Sequence, residues 1–105
     1  MIRVCSVDEL PEGEATRLDT VPPIAVFHAE AGFFAIDDTC THQDASLADG
    51  YLEGCEVECP LHAACFDLAT GVPNGLPATR PVRTHAVFVE DGAVFIVPAE
   101  QGSAA

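Results

Sequence analysis

The sequence predicts an all-β fold, an antiparallel sandwich or barrel. Short segments rich in Val, Ile and Phe recur along the chain and are separated by Gly, Pro and Asp, which is typical of such folds. A chain of 105 residues suffices for one domain with one modest core. We therefore expect residues 1–105 to form a single domain in which helix is scarce.

Four strands are expected in the first part of the chain. They are residues 2–5, 15–19, 24–29 and 33–37. The tripeptide Glu-Ala-Gly at residues 30–32 predicts a tight hairpin turn between the third and fourth of these strands.

Four more strands are expected in the rest of the chain. They are residues 56–59, 63–68, 83–90 and 93–97. Asp91 and Gly92 separate the last two strands and give the strongest hairpin signal, because that turn needs positive φ at both central positions. Residues 70–81 hold three Pro and two Gly, which excludes an interior strand or a helix and predicts a rigid loop.

The charge of the chain is strongly acidic. Four Lys and Arg against 17 Asp and Glu give a net charge of −13. This balance argues against nucleic acid as a partner, because no basic cluster is present to neutralise phosphates. An acidic folded surface favours basic patches on a partner protein. Keeping a small domain soluble is an equally good explanation from charge alone.

The chain shows no targeting signal. Residues 1–17 lack a basic segment followed by an apolar one, and no later apolar run approaches the roughly 18 residues that span a bilayer. We therefore expect neither export nor a membrane location. Five cysteines cannot all pair within one chain. Reduced thiols, some of them metal ligands, fit a cytoplasmic protein better.

Four residues form a pattern of metal ligands. Cys40 and His42 make one Cys-x-His pair, and Cys59 and His62 make a Cys-x-x-His pair after a gap of sixteen residues. Two thiolates and two imidazoles suit zinc, a mixed-ligand iron–sulfur centre or copper. Because each pair holds one ligand of each kind, both Cys can bind one metal atom and both His a second. Rieske [2Fe–2S] centres have that division.

At these residues the sequence resembles the Rieske family. "CTH" and "CPLH" match its signature in spacing and in the Pro after the second Cys. The likeness extends from residue 7 to Val97. It includes "CPLHAACFDLATG" and the closing "VFVEDGAVFIV", which are similar to the small ferredoxins of bacterial aromatic-ring-hydroxylating dioxygenase systems.

The resemblance implies a site as well as a fold. It implies a Rieske-type antiparallel β-sandwich or barrel with a small cluster-binding subdomain of two loops, at about residues 38–70, and one [2Fe–2S] cluster per chain. Cys40 and Cys59 would hold the inner iron, and His42 and His62 the outer iron. These four residues are therefore the predicted cofactor and metal ligands.

The resemblance also implies a cover for the cluster. Residues 73–81 would form a loop over it, with Pro77 lying above the metal. High-potential Rieske proteins carry a disulfide at the positions of Ala45 and Leu61 and hydroxyl groups at those of Ala64 and Phe66, and this chain has neither. Losing those donors, together with the acidic surface, predicts a potential near the low end of the Rieske range, roughly −150 mV.

The implied function is one-electron transfer. A flavin-containing, NADH-dependent ferredoxin reductase would supply the electron, and the terminal oxygenase of the dioxygenase system would receive it. The chain shows no nucleophile with a neighbouring base, no phosphate loop and no nucleotide fingerprint, so we expect an electron carrier with no catalytic residues of its own. The alternatives are a Rieske-like small subunit of a nitrite reductase, a ferredoxin serving another type of oxygenase, and a structural zinc module.

The remaining Cys and His residues have structural interpretations. Cys5, Cys55 and Cys65 lie on or beside apolar strand patterns, which predicts small buried side chains. His28 and His85 lie in strand patterns without partners at metal spacing, so we expect ordinary sheet residues.

Overall fold

The computed structural model describes residues 1–39, 45–60, 65–74 and 81–99. The described residues form ten strands: β1 (Ile2–Ser6), β2 (Ala15–Leu18), β3 (Ile24–Ala29), β4 (Gly32–Asp37), β5 (Tyr51–Glu53), β6 (Glu56–Glu58), β7 (Cys65–Asp67), β8 (Pro73–Asn74), β9 (Thr84–Glu90) and β10 (Ala93–Val97). Two short 3-10 helices, Val7–Glu9 and Leu47–Asp49, are the only helices in the described part of the chain. The predicted all-β fold is confirmed.

The strands form two antiparallel sheets. The larger sheet has six strands in the order β1-β10-β9-β4-β3-β2, and the smaller has four in the order β5-β6-β7-β8. The smaller sheet is a meander, because each of its strands pairs with the next one along the chain. The larger sheet is nearly closed into a barrel, and the smaller sheet packs beside it.

Both predicted hairpin turns form. Asp91 and Gly92 have φ of 51° and 75° between the paired strands β9 and β10, the geometry of a type I′ turn. Strands β3 and β4 are joined through Glu30 and Ala31, with Ala29 paired to Gly32. Local turn chemistry therefore sets the register of both hairpins.

Two clusters of buried side chains share strand β3. Ala25 and Phe27 contribute to a first cluster that also contains Val57 and Phe66 of the small sheet. The intervening Val26 contributes to a second cluster inside the large sheet. Because successive side chains of a strand point to opposite faces, β3 is buried on both sides. The first cluster joins the two sheets and fixes the position of the smaller one.

Two strands were not predicted. β5 spans only Tyr51–Glu53 and alternates polar with apolar residues over three positions, too few for a periodic signal. β8 contains Pro73, so the prediction that all of 70–81 is loop is wrong for residues 73–74. β8 pairs only with β7 at the sheet edge, where a missing N–H is tolerated.

The prediction that the three cysteines outside the ligand motif are buried is wrong, because each of them is only partly buried. Cys5, Cys55 and Cys65 are half-buried rather than buried. Cys5 lies on edge strand β1, Cys55 in the turn between β5 and β6, and Cys65 on the opposite face of β7 from the buried Phe66. Partial burial raises the pKa of Cys65, and the carboxylates of Glu56, Glu58 and Glu53 raise it further.

His28 fits the prediction of a sheet residue. Its Nδ1 lies 2.8 Å from the carbonyl oxygen of Leu10, and its ring stacks on Phe33 with centroids 4.0 Å apart. In the described part of the chain, no helix has the length and apolar character needed to cross a bilayer.

Candidate metal centre

Cys59 is the one predicted ligand that falls within the described residues. It directly follows β6 and is 1% exposed, on the same face as the buried Val57 two residues earlier. Its thiol is free and belongs to the cluster of side chains between the two sheets. The other three predicted ligands, Cys40, His42 and His62, lie outside the described residues.

The residues that flank the Cys40 and His42 segment are joined by hydrogen bonds. Thr39 and Ser46 form an antiparallel bridge across residues 40–45. The N–H of Leu47 donates a hydrogen bond of 2.7 Å to the carbonyl oxygen of Asp38 just outside this bridge. The described residues on either side of the Cys-x-His segment therefore lie next to each other.

The segment that carries Cys59 and His62 is also a closed loop. It joins β6 to β7, and Glu58 pairs with Cys65 at its base. The described residues on either side of the Cys-x-x-His segment are therefore paired at one end of β6 and β7.

The bases of these two loops lie in the same part of the core. Ala45, at the end of the first loop, and Cys59, at the start of the second, belong to the same buried cluster. Gly50 lies so close to the end of β6 that a Cβ there would overlap the carbonyl oxygen of Glu58. The fold thus brings together the two segments that the sequence pairs as ligand carriers.

The Pro-rich segment is a third segment near this part of the core, because Val82 at its end belongs to the same buried cluster as Cys59. The N–H of Val82 donates to the carbonyl oxygen of Gly71 at 2.9 Å, and the N–H of Gly71 donates to that of Asp67 at 2.7 Å. These bonds hold together the two ends of the Pro-rich segment predicted to cover the cluster. Pro77 and the rest of residues 75–80 lie outside the described residues.

A partly buried group of charged and polar side chains lies at the same end of β4. Arg83 Nε donates to Asp37 Oδ2 at 2.9 Å, and His85 Nε2 lies 2.9 Å from Asp37 Oδ1. The N–H of Ala99 donates to His85 Nδ1 at 2.8 Å. Since Nδ1 accepts this bond, the proton lies on Nε2, which donates to Asp37. Sequence analysis missed this group because its members are 46 and 48 residues apart.

The environment of the Asp37 carboxylate predicts that the folded protein loses stability in acid. Burial raises the pKa of its carboxyl, but hydrogen bonds from His85 and Arg83 outweigh burial, so the pKa lies below the usual range. The stabilisation is full above about pH 4, where a free Asp is ionised, and is lost as the pH falls through the lowered pKa. The thermal unfolding midpoint of the parent should fall as the pH is lowered into the acidic range. In Asp37→Asn this fall should be smaller. An equal fall in this variant would contradict the assignment.

The donor chemistry fits an iron–sulfur centre. A buried free thiol at a strand end, between two sheets, suits a metal ligand shielded from water, and two Cys with two His match the mixed ligation of a Rieske cluster. Fold and donor set together indicate a class, the all-β metalloproteins that bind metal through Cys and His side chains.

Comparison with known proteins gives the family. The model of the Rieske [2Fe-2S] domain matches residues 1–101. The 3-phenylpropionate/cinnamic acid dioxygenase ferredoxin subunit of Photorhabdus laumondii is 50% identical over 99 residues, 93% of this chain and 94% of that protein. Its Escherichia coli counterpart is 53% identical over 96 residues, 90% of this chain and 91% of that protein.

Solved structures agree. The ferredoxin in the complex of reduced oxygenase and oxidized ferredoxin of carbazole 1,9a-dioxygenase has a TM-score of 0.87 at 37% identity, covering 91% of this chain and 100% of that chain. The chain belongs to the Rieske [2Fe–2S] domain family. Its cofactor is a [2Fe–2S] cluster, and it is an electron carrier rather than an enzyme in its own right.

The nitrite reductase alternative has support only in the fold. A putative small subunit of an NADH-dependent nitrite reductase from Mycobacterium tuberculosis has a TM-score of 0.82 but 18% identity, covering 93% of this chain and 94% of that chain. Identity at that level shows a shared fold alone.

Proposed function

We propose that this protein is the ferredoxin of an aromatic-ring dioxygenase system. It takes single electrons from an NADH-dependent flavoprotein reductase and delivers them to the terminal oxygenase. The observation that carries the proposal is identity of 50% over 93% of the chain to a dioxygenase ferredoxin subunit. The names of the two relatives point to 3-phenylpropionate or cinnamic acid as the substrate of the oxygenase.

We assign the cluster ligands as Cys40 and Cys59 on the inner iron and His42 and His62 on the outer iron. The burial of Cys59 between the sheets supports its place on the inner side. When bound, the cluster supplies a couple that accepts and returns one electron. We assign the two loops to a cluster-binding subdomain at about residues 38–70, and the shared cluster of Ala45 and Cys59 at their bases supports this assignment.

The charge distribution supports a basic docking face on each partner. No Lys or Arg occurs between residues 18 and 79, which include both ligand loops. Long-range attraction between such a surface and a basic patch speeds encounter and weakens as salt rises. The free thiols of Cys5 and Cys55 support a reducing, cytoplasmic location.

Reconstitution tests the proposal. Anaerobically purified protein should contain two iron and two sulfide per chain, give a rhombic EPR signal when reduced, and be required for turnover by the oxygenase with NADH and the reductase. At limiting ferredoxin, turnover should fall as ionic strength rises. A colourless zinc protein, or oxygenase turnover that is independent of this protein, would refute the proposal.

Phe66 gives a prediction for the redox potential. It is fully buried on β7, four residues after the predicted ligand His62, and carries no hydroxyl group. Phe66→Tyr adds a donor that can stabilise the extra electron density of the reduced cluster, so the midpoint potential should rise. Phe34→Tyr, on β4 of the larger sheet, is the control and should leave the potential unchanged. A potential that stays the same or falls in Phe66→Tyr would contradict this role.

A further inference from the structure

Asp38 is a buried carboxylate at the start of the first ligand loop. It follows β4 and is 2% exposed, and it and His85 are the two buried polar residues in the described part of the chain. Burying a carboxylate carries a large desolvation cost unless hydrogen bonds and charges compensate it. The burial of this carboxylate therefore needs an explanation from its position and its contacts.

The contacts of Asp38 join both ends of the loop. Its Oδ1 accepts hydrogen bonds from Ser46 Oγ at 2.8 Å and from the N–H of Ala48 at 3.0 Å. Its carbonyl oxygen accepts from the N–H of Leu47 at 2.7 Å, and its own N–H donates to the carbonyl oxygen of Pro23 at 3.0 Å. One residue therefore ties the departing chain, the returning chain and the segment before β3 to each other.

The charge of Asp38 is only weakly compensated. The nearest cationic atom, Arg17 Nη1, lies 4.0 Å from Asp38 Oδ2, and the Arg17 side chain is half exposed to solvent. The amide oxygen of an Asn side chain could accept the same two hydrogen bonds, from Ser46 and Ala48, without carrying a charge. The hydrogen bonds alone thus do not account for a buried negative charge at this position.

We infer that Asp38 is a positioning residue for the cluster, with two effects. Its hydrogen bonds fix the span of the loop, so that Cys40 and His42 are presented together and the cluster is retained. Its buried negative charge, two residues from Cys40, opposes the addition of an electron and lowers the midpoint potential. The inference rests on the ligand assignment proposed above and concerns a residue that binds no metal itself.

The test compares three variants of the cluster-containing protein. Asp38→Asn keeps an acceptor oxygen and removes the charge, Asp38→Ala removes both, and Asp49→Asn removes an exposed charge near the same loop. The readouts are the midpoint potential and the rate of loss of visible absorbance in the presence of an iron chelator. Circular dichroism of each variant checks that the fold is kept.

The two effects predict different outcomes. Asp38→Asn should shift the midpoint to a more positive value while losing the cluster at close to the parental rate. Asp38→Ala should lose the cluster on the order of 10-fold faster, as is usual when groups that orient metal ligands are removed. Asp49→Asn should match the parent in both readouts, because its charge is solvated.

Each contrary result has a separate meaning. If the parent holds a cluster and Asp38→Asn has the same midpoint as Asp49→Asn, the charge effect is overturned. If Asp38→Ala folds and retains its cluster as the parent does, the positioning effect is overturned. If Asp38→Ala does not fold, the Ser46→Ala variant decides, because it removes one loop-closing bond and should still speed cluster loss. A parent without iron and sulfide would refute the proposed function and this inference together.

Discussion

Replacing Cys59 with serine is expected to yield a protein without a stable [2Fe–2S] cluster. The side chain is buried between the two sheets, and serine has nearly the same shape, so the core around it should persist. The hydroxyl is a poor iron ligand because it is far harder to deprotonate than a thiol. Iron and sulfide content should fall severalfold or more, and the reduced-state EPR signal should disappear.

Cys55→Ser is the matched control for this change. Cys55 lies four residues earlier in the same hairpin, is half-buried and packs against the same cluster of side chains. Its replacement should leave iron content and the EPR signal unchanged. Full cluster content in Cys59→Ser, or equal loss in both variants, would remove the basis for assigning Cys59 as a ligand.

Gly71→Ala, between β7 and β8, is expected to cause a large loss of stability. Gly71 has φ of +77°, which L-residues adopt at a cost. A Cβ at this position would overlap the carbonyl oxygen of Val82, a backbone atom that cannot rotate away. Strain and overlap together should destabilise the protein by about 3 kcal/mol. Since Gly71 bonds to both Asp67 and Val82, the ends of the Pro-rich segment should also separate.

Gly54→Ala separates the two causes. Gly54 has φ of +60° but nothing lies within 4 Å of a Cβ built there, so only backbone strain of about 1 kcal/mol applies. Thermal unfolding of both variants measures the difference, at about 4–8 °C per kcal/mol for a domain of this size. Equal midpoints in the two variants would show that the approach of Val82 does not matter. Faster cluster loss in Gly71→Ala alone would link this turn to the cover of the cluster.

The features that the sequence predicts well depend on local chemistry. The Asp91-Gly92 turn follows from the φ preferences of two adjacent residues, and the paired Cys and His stand at fixed short spacings. The apolar run of β3 correctly predicts a strand. Its burial on both faces follows only once a second sheet covers it.

The features that the sequence does not predict depend on contacts between distant residues. Asp37, Arg83 and His85 meet because β4 pairs with β9, and no pattern within either strand signals this. Cys65 differs from the expectation because its neighbour Phe66 takes the inward face of β7. The role of Asp38 likewise becomes visible only when Ser46 returns beside it.

The burial of β3 on both faces has a consequence for electron transfer. The side chains on one face of β3 anchor the smaller sheet through the first cluster, and those on the other face pack inside the larger sheet, so the smaller sheet has little freedom to move relative to the larger one. Tunnelling distance is therefore set by how the whole molecule approaches its redox partner as a rigid body. Successive encounters with donor and acceptor should present the same geometry each time.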